Sequence, residues 1–121
     1  MKNIVLYTFV LLLTACVGTQ DSSPASVAKI VAESFYQGDE ATLKKHTTPE
    51  GFASYSNVMK MFAKPKGSES NFKVIDEKIE NDVAWIKYST SYDKTPGIFK
   101  LVKVDGIWKA TARSPKEKAP F

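Results

Sequence analysis

The sequence holds one cysteine, Cys16, and that number alone excludes an intramolecular disulfide. It also holds one histidine, His46, set between Lys45 and Thr47. A metal site needs several ligands at suitable spacing, and a nucleophilic triad needs a base steadied by a third group. Neither pattern is written here, so no metal or cofactor is expected, and His46 reads as a surface residue near a helix end. Arginine is almost missing: among 17 basic residues only Arg113 carries the planar fork that phosphate and base recognition favour. The +4 formal charge reads as solvated lysine charge, with an attraction to anionic lipid or polysaccharide as the alternative, and nucleic acid is not an expected partner. No apolar run reaches the roughly 20 residues that a membrane-spanning helix needs. Repeats and low-complexity tracts are absent as well. The 121 residues suit one domain rather than two, and 43% hydrophobic with 12% aromatic content is the composition of a folding chain.

What is present begins with a leader. Met1 and Lys2 form a short positive region, Ile4 to Leu13 an apolar stretch, and Thr14 and Ala15 a pair of small residues before Cys16. The segment Leu13-Thr14-Ala15-Cys16 resembles the lipobox of bacterial lipoproteins, which implies cleavage before Cys16 and fatty acyl chains on that cysteine. Small residues fit a peptidase groove, and only a thiol can form the thioether. Two or three acyl chains, at about 0.8 kcal/mol per buried methylene, anchor a protein far more firmly than one. The expectation is a signal peptide over 1–15, a lipidated cysteine and flexible tether over 16–23, a domain over 24–113 and a tail over 114–121. Val17, in place of an inner-membrane retention Asp, resembles an outer-membrane address if the host is Gram-negative.

Helical spacing comes next. Ser23 and Pro24 form an N-cap and first turn, after which Val27, Ile30, Val31 and Phe35 fall on one face, with Gly38 as the stop. Asp39 caps a short second helix carrying Leu43. Thr48 and Pro49 open a third whose Phe52, Tyr55, Met59 and Phe62 form a stripe, ended by Pro65 and Gly67.

From Asn71 the period changes to alternation, which predicts strands over 71–80, 83–92, 98–104 and 107–113. Asn81-Asp82 and Asp105-Gly106 are two-residue hairpin turns, and Lys94-Thr95-Pro96-Gly97 makes the middle turn. The resulting register pairs Ile79 with Ala84, Ile75 with Tyr88, Tyr92 with Phe99, Thr90 with Leu101, and Leu101 with Ala110. One face then collects Ile75, Ile79, Ala84, Ile86, Tyr88, Tyr92, Phe99, Leu101, Trp108 and Ala110 for the helices to cover. The fold class is α+β, with N-terminal helices on a four-stranded antiparallel meander.

Three groups of residues on this scaffold invite a functional reading. Glu77 falls on the apolar face opposite Ile86, where a desolvated carboxylate would have a raised pKa or would require a partner such as Tyr88 or Lys103; the alternative is an open, watery rim. Tyr55, Tyr88, Tyr92 and Trp108 suit either a ligand cavity or plain core packing. On the opposite face Trp85, Val83, Val102, Val104 and Ile107 stand among lysines and serines, a surface for a homodimer or an envelope partner unless the tail from Ser114 covers it.

Helices followed by a meander, with the ending Phe99-Lys-Leu-Val-Lys-Val-Asp-Gly-Ile-Trp-Lys109, resemble the nuclear transport factor 2-like superfamily. The helical opening from Ser23 through Gly38-Asp39 is similar to that of small bacterial lipoproteins with this fold. The resemblance implies a cone, a curved sheet wrapped around helices, whose cavity serves binding, catalysis or only packing in different members. Superfamily members that are isomerases use sets of carboxylate, tyrosine or histidine that have no residue-by-residue match here. The expected function is a non-enzymatic binding module held at the cell envelope. The alternatives are a ketosteroid isomerase-like enzyme using Glu77 and Tyr88 for proton transfer, and a structural spacer.

Overall fold

The computed structural model describes residues 23–65, 67–114 and 116–121. The leader expected over 1–15, and all but Ser23 of the lipidated cysteine and tether expected over 16–23, lie outside the described residues. Ser23 caps α1 (Pro24–Gln37), its hydroxyl accepting from Ser26 N at 3.2 Å, and Gly38 ends the helix at φ 71°, in the left-handed region that suits glycine. Asp39 caps α2 (Glu40–Lys45), and Thr48 caps α3 (Pro49–Met59), which runs into a 3-10 turn over Lys60–Phe62. All three sequence caps thus start the helices they were assigned to. The stripe predicted for α3 divides: Met59 is buried, Phe52 and Tyr55 are half-buried, and Phe62, past the helix end, is exposed.

The strands are β1 (Lys73–Glu80), β2 (Val83–Thr90), β3 (Asp93–Val104) and β4 (Ile107–Thr111), in one antiparallel sheet of order β1-β2-β3-β4. The first hairpin keeps its expected register at Ile79 opposite Ala84 and Glu77 opposite Ile86. A bulge between Val74 and Asp76 then sets Tyr88 opposite Val74 rather than Ile75. The third hairpin pairs Leu101 with Ala110 as expected, around Asp105 (φ 52°) and Gly106 (φ 79°).

The middle hairpin turns elsewhere. The chain reverses at Ser91-Tyr92, not at Lys94–Gly97, so Ala84 faces Leu101, Ile86 faces Phe99 and Tyr88 faces Gly97. The cause is tertiary. Ser91 N donates to Ser70 O at 2.7 Å, and the Tyr92 hydroxyl donates to Ser68 O at 2.8 Å, which pins the reversal to the segment before β1. Pro96 stays inside β3 because β4 pairs only with the far half of that strand, leaving an edge where a missing N–H costs no ladder bond. The slip spans an even number of residues, so both faces keep their membership.

Val27, Ala28, Val31 and Ala32 of α1 form the core with Leu43, Met59, Ala84, Ile86, Phe99, Leu101, Trp108 and Ala110. α1 packs on β4, β2 and β3, and α3 on β4, but the helices stop short of β1. Consequently every β1 residue is exposed, and Ile75 and Ile79, expected in the core, are each 50% accessible. Two close approaches hold the helices down: Thr48 N donates to Ala110 O at 2.9 Å, and Ala110 N donates to His46 O at 3.0 Å.

Candidate functional site

The middle hairpin, α1 and α3 meet around a cavity of about 270 Å³ lined by Tyr36, Tyr55, Tyr88, Asp93 and Phe99, with Thr90, Thr95 and the Pro96-Gly97-Ile98 backbone completing the wall. That size is a little under the ~300 Å³ at which ligand pockets usually begin. Tyr88 is fixed by two stacked neighbours, Phe99 at 4.7 Å and 16° and Phe72 at 5.3 Å and 20° between centroids and planes. Phe99 also takes the edge of Tyr55 at 5.8 Å. Tyr36 leans on Tyr92 at 4.7 Å and on Phe35 at 5.1 Å. Aromatic contacts of this kind add about 0.5–1.5 kcal/mol each beyond the area they bury, so the wall is stiff.

The polar ends of this wall are uncommitted. Among the described residues, the hydroxyls of Tyr36, Tyr55 and Tyr88 make no hydrogen bond within the protein. Burial pushes the Tyr55 phenol up to about 12, an effect that Arg113 partly offsets. Burial raises Tyr88 as well, reinforced by Tyr36, Tyr55 and the Asp93 carboxylate, and Tyr36 is raised by burial and by Asp93. All three therefore stay protonated at neutral pH, each able to donate one hydrogen bond and to accept others. Asp93, an exposed residue of the lining, accepts from Thr95 N through Oδ1 at 3.0 Å, and its Oδ2 has no hydrogen-bond partner among the described residues.

Three larger grooves, of about 380, 590 and 360 Å³, lie elsewhere, the last a shallow one around Gln37, Gly38, Asp39 and Glu40 with no aromatic wall. In the first, between α1 and the Gly67–Phe72 segment, the polar groups bind each other: Ser70 donates to Glu33 Oε2 at 2.5 Å, and the Gln37 amide donates to Tyr92 Oη at 3.2 Å. The second lies beside Trp85 between the first hairpin turn and the tail. None of the three gathers buried aromatic walls around free hydroxyls.

Of the residues singled out in sequence, Tyr55 and Tyr88 come together in the cavity. Glu77 does not join them: it stands exposed on β1, where no helix covers the sheet, which corrects the desolvated setting and leaves the watery rim. Trp108 is 6% exposed in the core, with Lys103 Nζ 5.5 Å from its ring centre, and lies apart from the cavity. On the other face Trp85 and Val102 are half-buried while Ile107 is 52% exposed. The tail reaches this face. Lys100 Nζ donates to Glu117 Oε2 at 2.6 Å while sitting 5.8 Å from the Trp85 ring centre, and Lys118 and Pro120 border the Trp85 groove. His46 ends α2 half-buried, its pKa lowered by burial and by Lys45 and Lys109; its backbone carbonyl, not its ring, is what the fold uses.

Sequence reasoning missed Tyr36 and Asp93. Tyr36 follows Phe35, one step off the apolar face assigned to α1. Asp93 was set near the misplaced turn, and only the Ser91-Tyr92 reversal brings it to the cavity mouth. Among the described residues no three His, Cys, Asp or Glu side chains group as metal ligands, and no helix is long and apolar enough to cross a membrane.

The fold has a solved counterpart. A crystal structure from Campylobacter jejuni, described as a candidate NTF2-like transpeptidase, superposes with a TM-score of 0.59 at 17% identity, over 76% of this chain and 100% of that one. At that identity the likeness shows the fold alone: the described residues adopt a nuclear transport factor 2-like fold. No protein-family model matches the sequence, and no curated protein matches it.

Proposed function

We propose that this chain is an envelope lipoprotein, anchored through Cys16, whose nuclear transport factor 2-like domain binds a small ligand in the tyrosine-lined cavity. The observation that carries the reading is the convergence of three protonated, unbonded phenols on one stiff, partly apolar cavity. Among the described residues no fully buried side-chain nitrogen or oxygen lacks a partner, so these hydroxyls are reached by solvent, and a ligand would exchange their water for its own hydrogen bonds at the end of stacked rings. The anchor follows from the leader and the Leu13–Cys16 segment, and it would confine the domain to ligands near one bilayer.

Binding is favoured over catalysis because the groups needed for reaction are not assembled. Proton transfer between Glu77 and Tyr88 would need both at one cavity, and Glu77 is on the exposed edge strand. Transpeptidase chemistry, the activity named for the Campylobacter protein, needs an activated nucleophile, and among the described residues the cavity lining holds no serine, cysteine, lysine or histidine.

Two measurements test the two halves. Metabolic labelling with an alkyne fatty acid in a bacterial host should tag the wild-type chain and not Cys16→Ser; an unlabelled wild type would remove the anchor. Calorimetry with 2-phenylethanol should show saturable binding that is lost in Thr90→Phe, which fills the cavity from its wall. Equal heats from both proteins would remove the binding site.

A further inference from the structure

Charge at the cavity narrows the ligand class, an inference that rests on the binding reading above. The chain carries 17 basic and 13 acidic residues, yet among the described residues the cavity lining has one formally charged side chain, that of Asp93. Lysine, the commonest charge on this protein, does not occur among the described residues of that wall. Among the described residues Arg113 is the cation that bears on Tyr55, and it is not part of the lining.

The phenols by themselves do not discriminate, since a neutral hydroxyl donates to an anion as readily as it accepts from a cation. Asp93 breaks the tie. Its Oδ1 already accepts from Thr95 N, and its Oδ2 remains as a carboxylate acceptor on the exposed side of the lining. Thr90 Oγ1, accepting from Tyr92 N at 3.2 Å, keeps further lone-pair density on the same rim. The cavity therefore offers a ring of acceptor oxygens closed by a carboxylate, above a floor of aromatic carbon from Phe99 and the Tyr88 ring. An ammonium group has three N–H donors and no acceptor, the complement of that rim, and an apolar or aromatic body is the complement of the floor.

We infer that the ligand is a small organic cation, an ammonium on an apolar or aromatic body, with its charge against Asp93 and its body against Tyr55, Tyr88 and Phe99. Anions of the same shape are turned away by the carboxylate, and neutral analogues lose the charge-assisted bond while keeping the apolar contacts. A hydrogen bond to a charged group contributes more than a neutral one, by a margin that corresponds to on the order of tenfold in affinity.

The test is a charge series on one frame, measured by calorimetry on the full-length protein in detergent at pH 7: phenethylamine, which is protonated there, 2-phenylethanol and phenylacetate. Phenethylamine should bind about tenfold tighter than the alcohol, with phenylacetate the weakest. Asp93 is exposed, so Asp93→Asn should fold normally and bring phenethylamine to the level of the alcohol. Equal affinity for amine and alcohol, or tightest binding of phenylacetate, would overturn the cation assignment while leaving the binding site standing. No binding of any of the three would overturn both.

Discussion

Tyr88 and Gly97 face each other across β2 and β3, and the phenol ring lies where a Cβ on residue 97 would be: such an atom would stand 2.9 Å from Tyr88 Cε1 and nearer still to its Oη. The glycine here provides room rather than an unusual backbone angle. Because Phe72 and Phe99 stack on the same ring, Tyr88 cannot swing aside without giving up those contacts.

Gly97→Ala should therefore lower stability by about 1–3 kcal/mol, the usual range for overpacking, in a denaturant titration with unchanged slope. In a Tyr88→Ala background the same change should cost far less, so the double-mutant cycle should be strongly non-additive. Additive losses would mean that the ring and the glycine are independent.

Gly51 makes a harder contact. A Cβ there would meet Ala110 O at 2.7 Å and Thr111 Cα at 3.0 Å, and both atoms belong to backbone that cannot rotate away. Thr48 Oγ1, which accepts from Gly51 N at 3.0 Å, also donates to Thr111 Oγ1 at 2.7 Å, so α3 and β4 would have to part together. Gly51→Ala should cost at least as much as the upper end of the ~1–3 kcal/mol range and more than Gly97→Ala. The reverse order in thermal denaturation would contradict the packing described.

The tyrosines give stability an alkaline limit. Unfolded tyrosine ionises near 10.0, whereas Tyr55 in the fold does so near 12 and Tyr88 is raised too. Below pH 10 both states are protonated and the full stability is present. Between about 10 and 12 the unfolded chain ionises first, so stability should fall as pH rises through the folded values. Tyrosinate absorbance should lag in the native protein and appear together with loss of circular dichroism.

The tail makes a separate prediction. Glu117 is held below the usual carboxylate range by the hydrogen bond from Lys100, so this clasp persists at neutral pH and opens as acid protonates the carboxyl. Removing residues 114–121 should make Trp85 more accessible to acrylamide while Trp108, 6% exposed, stays protected. Glu117→Gln should move quenching in the same direction with little change in stability. Unchanged quenching in both would mean that the tail does not shield this face.

Much of the scaffold was legible because its signals are local. Ser23, Asp39 and Thr48 each bind a backbone N–H of their own first turn, and Asp105-Gly106 needs only its own positive φ angles. The middle turn was not legible. Pro96-Gly97 carries the stronger turn signal, but Ser91 and Tyr92 are held by Ser70 and Ser68, partners more than 20 residues away that no local pattern displays. Alternation placed Glu77 and Ile79 opposite Ile86 and Ala84, since period two reports the face of a strand, while the bulge between Val74 and Asp76 takes Ile75 out of its expected pairing with Tyr88. It could not report that the helices end before that strand, which depends on how wide a sheet three short helices can cover. Half of the cavity followed from this: Tyr55 and Tyr88 were readable as inward aromatics, while Asp93 arrives only through the corrected turn.

The most direct test of the account is tyrosine-selective NMR, with the ring carbon bearing the hydroxyl labelled with carbon-13, during titration with phenethylamine. The account predicts saturable shifts of the Tyr36, Tyr55 and Tyr88 signals with one shared midpoint, reduced in Asp93→Asn. Stationary signals at those three residues under saturating amine, or shifts confined to the Trp85 face, would contradict it.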